Sequence, residues 1–393
     1  MEPREYLTTH PWLTYDVRKQ LEHAPRKLWQ LLGGVSSLAN VLADTPLLPE
    51  VATEMHMVYL VKGALATTAI EGNTLTEDQV RQAVDRDLKL PPSKEYLEIE
   101  IMNMVEAFNQ LSAELDEDGT KAVLTPARID DMNRQVLKNL ELEPGVVPGE
   151  VSSHQVVVGG YRGAPRRDVD YLMNELCSWL ENGRENDDEG VSKESMDDAV
   201  LKALLAHLYL AWIHGYGDGN GRTARLVEFF ILLRGGVPAP AAHLLSNHFN
   251  DTRSAYYREL AKASASGGEV VPFLVYALQG FLDGLDGQLD RIRLQTEQLV
   301  WQRLVHEAIT QSTVTAHRRR QVALALFDVT GTVSKDDLIL MNPTVFRLYR
   351  GCSMKTVTRD VHVLEQAGLI RKVSGGYRTT RGQILGLMPR RLR

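Results

Sequence analysis

Twelve residues near the middle of the chain constrain it most: His214-Gly215-Tyr216-Gly217-Asp218-Gly219-Asn220-Gly221-Arg222-Thr223-Ala224-Arg225. Four glycines in seven positions break an apolar helical run that ends near Ile213, and a second helical pattern, Arg222 to Arg234, starts at once. A loop so placed lies at a helix N-terminus, where unpaired N–H groups and the helix dipole favour an anion. Glycine lets successive amides converge on that anion with no side chain in the way. Arg222 and Arg225, three apart, share one side of the first turn and offer guanidinium forks to di- or triphosphate oxygens. Asp218 is the loop's one carboxylate, the kind of ligand that Mg²⁺ bridging phosphates requires. His214 is the residue best able to take a proton near neutral pH. The run therefore predicts a phosphate site between two helices.

Other phosphate and metal motifs do not fit. A P-loop needs a preceding strand and a closing Gly-Lys-Ser/Thr, whereas a helix precedes here and Arg replaces Lys. An EF-hand beginning at Asp218 would need Gly at 223 and Glu at 229, where Thr223 and Phe229 stand. A dinucleotide fingerprint spelled from Gly219, Gly221 and Ala224 lacks its strand. Two cysteines, Cys177 and Cys352, support neither a disulfide framework nor a zinc pattern.

Around the loop the chain reads as mainly α. Leu28 to Leu42, Val51 to Thr68, Leu97 to Leu115, Pro126 to Leu140 and Tyr171 to Leu180 carry apolar residues at three- and four-residue spacing. Thr76-Glu77-Asp78 and Thr125-Pro126 mark helix starts. Gln155 to Val158 is short and β-branched and stops at Gly159-Gly160, which predicts a strand and turn; His154 beside it reads as a surface residue. Glu181 to Asp198 reads as a solvated acidic loop. Pro272 to Ile309 predicts one long helix with a seven-residue repeat at Leu278, Leu282, Leu285, Leu289, Ile292 and Leu299, either an intramolecular bundle helix or a homodimer or interdomain seam. Its Gly280, Gly284 and Gly287 suggest close approach of another backbone.

Net charge of −7 hides a division. Residues 316–393 hold 15 Lys/Arg against 5 Asp/Glu, while the preceding 315 residues hold 29 against 46. An acidic body is thus joined to a basic module with its own pattern. Arg318 to Asp328, Ser334 to Leu340 and Ser353 to Ala367 read as helices, and Leu369 to Thr380 as a hairpin. Three helices and a basic hairpin resemble a winged helix-turn-helix. Its Arg318, Arg319, Arg320, Lys355, Arg359, Arg371, Lys372 and Arg378 are candidate phosphate contacts on DNA. The charged start, MEPREYLTTH, lacks an apolar signal core, and Ala199 to Ile213 is too short and polar for a membrane span, so a cytoplasmic protein without membrane contact is expected.

The central run resembles the signature of Fic-domain proteins, His-Pro-Phe-x-Asp/Glu-Gly-Asn-Gly-Arg-x-x-Arg, departing from it at Gly215 and Tyr216. Thr67-Thr68-Ala69-Ile70-Glu71-Gly72-Asn73 resembles the family's inhibitory motif, Ser/Thr-x-x-x-Glu-Gly/Asn, placed N-terminally as in class II members. Glu95 to Gln110 and Ser246 to Leu260, with Tyr256-Tyr257, also look like family segments, and the likeness spans roughly residues 25 to 285. It implies a Fic helical core with a β-hairpin flap, followed by the winged-helix (α+β) domain. The expected organisation is an N-terminal helical region at 1–90 with an inhibitory helix near 60–73, a core at 91–285, a helical linker at 286–315 and the winged helix at 316–393. The flap would lie near 150–163.

By the same resemblance the chain would be an autoinhibited adenylyltransferase moving AMP from ATP to a Ser, Thr or Tyr hydroxyl of a protein, itself included. His214 would deprotonate the hydroxyl and Asp218 would hold Mg²⁺. The amides of Gly219 to Gly221 and the Asn220 side chain would cradle the α-phosphate, with Arg222 on the β- and Arg225 on the γ-phosphate. Val156, Val157 and Val158 would pair with the target, and Glu71, with Thr67, would block Arg225. A DNA-binding regulator whose core senses nucleotide remains open, as does an enzyme that uses another nucleotide or removes AMP.

Overall fold

A computed structural model describes residues 3–118, 122–182, 185–186, 192–329 and 331–380. The chain forms two compact units, Met1–Leu289 and Asp290–Arg393, and the division falls within the helix Val271–Ala308. The regions expected at 1–90 and 91–285 share the first unit.

The first unit is built around two consecutive helices, Met196–Ile213 and Asn220–Arg234, packed on one another. Both bury residues on nearly every side; Ala203, Leu204, Leu208, Ile213, Val227, Phe230 and Ile231 are fully buried. A helix apolar all round belongs in the centre of a bundle. Surrounding it are Arg26–Asp44, Pro49–Ile70, Glu95–Asp118, Pro126–Val136 and Arg166–Glu181, close to the segments that periodicity marks. Their starts follow local chemistry. Thr76 forms a reciprocal capping box with Gln79, and the Thr125 hydroxyl accepts from the Arg128 amide ahead of Pro126.

A small hairpin interrupts the helices beside the site, with Val157–Val158 paired with Tyr161–Arg162 and turned at Gly159 (φ 56°). The expected loop at 181–198 contains positions 183–184 and 187–191, which lie outside the described residues; its flanks pair as Glu185–Asn186 with Ser192–Lys193. The seven-residue repeat in the Val271–Ala308 helix faces its own chain at its first turns. Leu278 and Leu285 are fully buried, and Leu282 packs over Gly34. The expectation for the glycines changes as well. Gly280 and Gly284 admit the side chains of His248 and Leu244 rather than a backbone, and Gly287 has open space beside it.

In the second unit, residues of the expected 286–315 linker join the core: Trp301, Val305 and Ile309 pack with Val322, Leu326, Val357, Val361 and Leu364. Four helices stand where three were expected: Val314–Ala325, Lys335–Leu338, Pro343–Tyr349 and Met354–Gln366. The extra one, Pro343–Tyr349, starts with an Asn342 cap and Pro at its first position, a signal too short for periodicity to reveal. Ile370–Val373 and Gly376–Thr379 form the hairpin, and Val333 bridges to Tyr377. The last thirteen positions, including Arg381, Arg390, Arg391 and Arg393, lie outside the described residues.

Three of the basic residues expected on DNA have internal roles instead. Asp360, 1% exposed, receives Arg318 Nε at 2.7 Å, Arg319 Nε at 2.8 Å and the Tyr349 hydroxyl at 3.1 Å. Arg320 caps the preceding helix, donating to the carbonyls of Ile309 and Gln311 at 2.8 and 2.9 Å. A buried carboxylate serving two guanidinium groups pins the Val314–Ala325 helix to the Met354–Gln366 helix. Removing it leaves Arg318 buried and unpaired, so Asp360→Ala is expected to destabilise this unit by about 3–5 kcal/mol. Hydrogen exchange of the full chain checks this: amides of 314–366 lose protection while those of 199–234 keep theirs.

Among the described residues, no helix is long and apolar enough to cross a membrane.

Candidate functional site

The central loop leaves its first helix at His214, which takes the left-handed conformation (φ 47°, ψ 52°) as the C-cap of Met196–Ile213. That conformation turns the chain sharply out of the helix. Its imidazole Nδ1 lies 3.2 Å from the Ala211 carbonyl. A carbonyl only accepts, so Nδ1 carries the proton and Nε2 keeps its lone pair. Burial pushes the His214 pKa below its ordinary 6.5, partly offset by the Ala211 carbonyl and by Glu71. The neutral, proton-accepting form therefore prevails at neutral pH.

The loop is closed by Asn220. Its side-chain oxygen accepts from the Tyr216 amide at 2.9 Å, and its nitrogen donates to the Tyr216 carbonyl at 2.6 Å. Each polar atom of the Asn220 side chain thus makes one bond that shapes the loop, and its second amide N–H is left to donate elsewhere. The two departures from the signature fit their surroundings. Tyr216 donates its hydroxyl to Asp130 at 2.7 Å, and a side-chain carbon on Gly215 would lie 2.6 Å from Val169.

The helix Asn220–Arg234 begins at Gly219 (φ 76°) with no side-chain cap, leaving its first amides open to an anion. A carboxylate already stands there. Glu71 Oε1 lies 2.2 Å from where a Cβ on Gly221 would be, so only glycine admits it. The same oxygen accepts from Arg225 at 2.5 Å. Arg225 is 1% exposed and also donates to the Thr67 carbonyl at 3.0 Å and the Thr67 hydroxyl at 3.2 Å. About a third of the Glu71 side chain (34%) remains accessible. Burial alone would raise the Glu71 pKa, yet Arg225, its hydrogen bond and Arg222 outweigh that and hold it below the usual carboxylate value.

Arg222 has a carboxylate of its own. Glu100 Oε1 lies 3.1 Å away and Asp218 Oδ1 3.2 Å away. Glu100 carries no motif spacing, so the sequence flagged only its helix; desolvation raises its pKa against the pull of Arg222. Arg222 Nε and Arg225 Nη1 are buried without a hydrogen-bond partner, the latter beside Gly221. Buried orphan guanidinium nitrogens next to open helix amides suit phosphate oxygens. Asp218, with its side chain 48% exposed, fits a Mg²⁺ that draws its other ligands from phosphates and water.

His214, Glu71 and Gly221 share a cavity of about 640 Å³ with Val158, Gly160, Tyr161, Trp12, Tyr256 and Tyr257. The hairpin is hooked beside His214: Tyr161 donates to the Trp212 carbonyl at 2.7 Å and the Ala164 amide to Ile213 at 2.9 Å. Gly163 is required here, since a Cβ would press within 2.9 Å of His214. Val157 and Val158 are half-exposed, and the Val156 carbonyl is taken by the Gly163 amide at 2.9 Å. On the other side Tyr256 is fixed by His207, whose Nε2 lies 2.8 Å from its hydroxyl and whose Nδ1 lies 2.9 Å from Glu228. Trp12, Glu100, Asp130, His207 and Glu228 were not readable as site residues, because they follow no fixed spacing relative to the loop.

Residues 123–232 match the family described as Fic/DOC. The chain is 28% identical over 256 residues to protein adenylyltransferase fic-1 of Caenorhabditis elegans, covering 64% of this chain and 44% of that protein. It is 30% identical over 261 residues to protein adenylyltransferase Fic of Drosophila ananassae, covering 66% and 47%. The chain thus spans less than half the length of these curated relatives. Among solved structures, a Fic family protein from Desulfovibrio desulfuricans G20 superposes with a TM-score of 0.55 at 21% identity, covering 91% of this chain and 96% of that one. Fic-1 from C. elegans superposes with a TM-score of 0.53 at 24% identity, covering 68% and 73%. The fold is the mainly helical Fic fold.

Proposed function

From a chain that carries a Fic domain at 123–232, we infer an autoinhibited protein adenylyltransferase, which moves AMP from ATP to a hydroxyl side chain of a protein. The observation that carries this reading is a partly buried, neutral His214 sharing a cavity with Gly221 in the first turn of an uncapped helix, which also carries Arg222 and Arg225. The relatives named as protein adenylyltransferases supply the nucleotide and the protein acceptor by analogy.

In the proposed reaction the target segment lies along the exposed Val157–Val158 edge and presents its hydroxyl to His214. Nε2 of His214 takes the hydroxyl proton as the oxygen forms its bond to the α-phosphorus. The bond from that phosphorus to the bridging oxygen breaks, and pyrophosphate leaves. The amides of Gly219 to Gly221 stabilise charge on the α-phosphate, while Arg222 and Arg225 hold the β- and γ-phosphates. Asp218 is the residue that would hold Mg²⁺, whose bound charge offsets that of the phosphates. Asn220 contributes by holding the loop's shape. Glu71 occupies Arg225 and the helix N-terminus, so the γ-phosphate and this carboxylate compete for one place.

Mass spectrometry of the purified chain with ATP and Mg²⁺, with and without candidate acceptors, tests the assignment. Protein gaining the mass of AMP less water on Ser, Thr or Tyr is the expected result. No adduct with ATP, from either the parent or the Glu71→Gly chain, would remove the transferase reading.

A separate observation favours a nucleic-acid role for the second unit. Lys355 and Arg359 on the Met354–Gln366 helix, and Arg371, Lys372 and Arg378 on the hairpin, are all exposed, and none of Lys355, Arg359, Arg371 and Lys372 is drawn into the Asp360 cluster. In a winged-helix reading that helix enters the major groove with the hairpin alongside. Retention on duplex DNA at about 50 mM salt, falling steeply by about 200 mM, is expected. Failure to bind at low salt would assign the unit to protein contacts.

A further inference from the structure

Glu71 follows directly on the last residue of the Pro49–Ile70 helix, and two side chains hold the turn on which it stands, one from another helix and one from the turn itself. The backbone amides of Glu71, Gly72 and Asn73 return to Thr68 and Ala69, which leaves the Ile70 carbonyl among the unpaired groups of a helix C-terminus. Tyr257, from the helix Arg253–Ala265, donates its hydroxyl to that carbonyl at 2.9 Å. On the far side of Gly72 (φ 109°), Asn73 donates to the Leu97 carbonyl and to Glu100, both at 2.9 Å. The carboxylate that meets Arg225 is thus bracketed, and one bracket is a tyrosine in the wall of the same cavity.

The two brackets differ in what else they touch. Asn73 shares Glu100 with Arg222, so changing it disturbs the phosphate arginines directly. Tyr257 is 45% exposed, and its hydroxyl contact is to backbone one residue before Glu71. Loss of that hydroxyl frees the helix end while the ring keeps its place.

We propose that Tyr257 is a positioning residue for Glu71: its hydroxyl fixes the end of the Pro49–Ile70 helix so that the carboxylate reaches Arg225 and Gly221. This rests on the autoinhibition reading above and adds a residue to it. A substrate pressing on Tyr257 from the cavity would then act on the same turn that aims the inhibitory carboxylate.

Four full-length proteins test this: the parent, Tyr257→Phe, Glu71→Gly and the double variant. Transfer of AMP from labelled ATP is measured across ATP concentrations, and thermal melting verifies that each is folded. One neutral hydrogen bond corresponds to about a fivefold effect, so the activation produced by Glu71→Gly should shrink about fivefold in the Tyr257→Phe background. A tyrosine that merely lines the nucleotide pocket would change KM or kcat alike in both backgrounds. The activation ratio would then stay the same, and the proposal would be overturned with the autoinhibition reading intact. If Glu71→Gly fails to activate the parent, the autoinhibition reading fails, and hydrogen exchange decides the structural part. Faster exchange at 71–75 in Tyr257→Phe supports positioning, and unchanged exchange overturns it.

Discussion

His214→Ala is expected to lower AMP transfer by about 10²- to 10⁴-fold, the usual worth of a general base, while ATP still binds. The separation follows from the geometry. The phosphate-facing groups belong to the helix Asn220–Arg234, whereas His214 ends the preceding helix and has its own support at the Ala211 carbonyl. Truncation removes the proton acceptor and leaves Arg222, Arg225 and the helix amides in place. The pH dependence has a definite sign. A base whose pKa is lowered from 6.5 by burial is protonated only in acid, so kcat should climb to a plateau through a midpoint below pH 6.5. Glu71 is one of the groups that pull this pKa back up, so the acid limb should move to still lower pH in Glu71→Gly. Single-turnover rates with saturating ATP, with ATP affinity measured separately, check both statements. Retention of near-wild-type turnover in His214→Ala would take the base role away from it.

The loop from His214 to Arg225 was legible because its chemistry is local. Four glycines, two arginines, an acid and a histidine in twelve residues need no tertiary information to suggest an anion site at a helix start. Glu71 was legible only through its motif. By spacing alone it is one more acidic residue, and what makes it a site residue is a contact with Arg225 across 154 positions. Glu100 and Tyr257 lie in segments that resemble the family, but no role was legible for either, since each is recruited by packing. Asn220 was legible from its place in the signature, but its closure on Tyr216 four residues away was not. The basic unit misleads at Arg318 and Arg319. A charge count cannot register a single buried Asp360 that turns two of the cations inward. Composition located the basic unit, but burial decides which of its charges face solvent.

The second large effect is expected at Glu71. Glu71→Gly should raise AMP transfer, self-modification included, by about ten- to a hundredfold, the worth of one charge-assisted hydrogen bond competing with the γ-phosphate. The side chain meets Arg225 at 2.5 Å and lies over Gly221, so its removal opens both the arginine and the helix N-terminus. Backbone strain does not complicate the variant, because Glu71 has an ordinary helical conformation (φ −87°, ψ 0°). Folding should loosen slightly, since Arg225 keeps the Thr67 carbonyl and hydroxyl and loses only the carboxylate. Mild acid should not mimic the variant. The folded Glu71 pKa lies below the ordinary 4.5, held down by Arg225 against the opposing effect of burial. The pair's stabilisation is therefore fully present above that value and is lost only as pH falls through the lower folded one. Inhibition by Glu71 should accordingly be constant from about pH 7.5 to 8.5, on the plateau above the His214 acid limb, where carboxylates of ordinary or lowered pKa stay ionised. The measurement is the ratio of Glu71→Gly to parent labelling with tagged ATP across that range, on protein verified as folded by thermal melting. A ratio near one at every pH would show that the carboxylate over Gly221 does not restrain transfer.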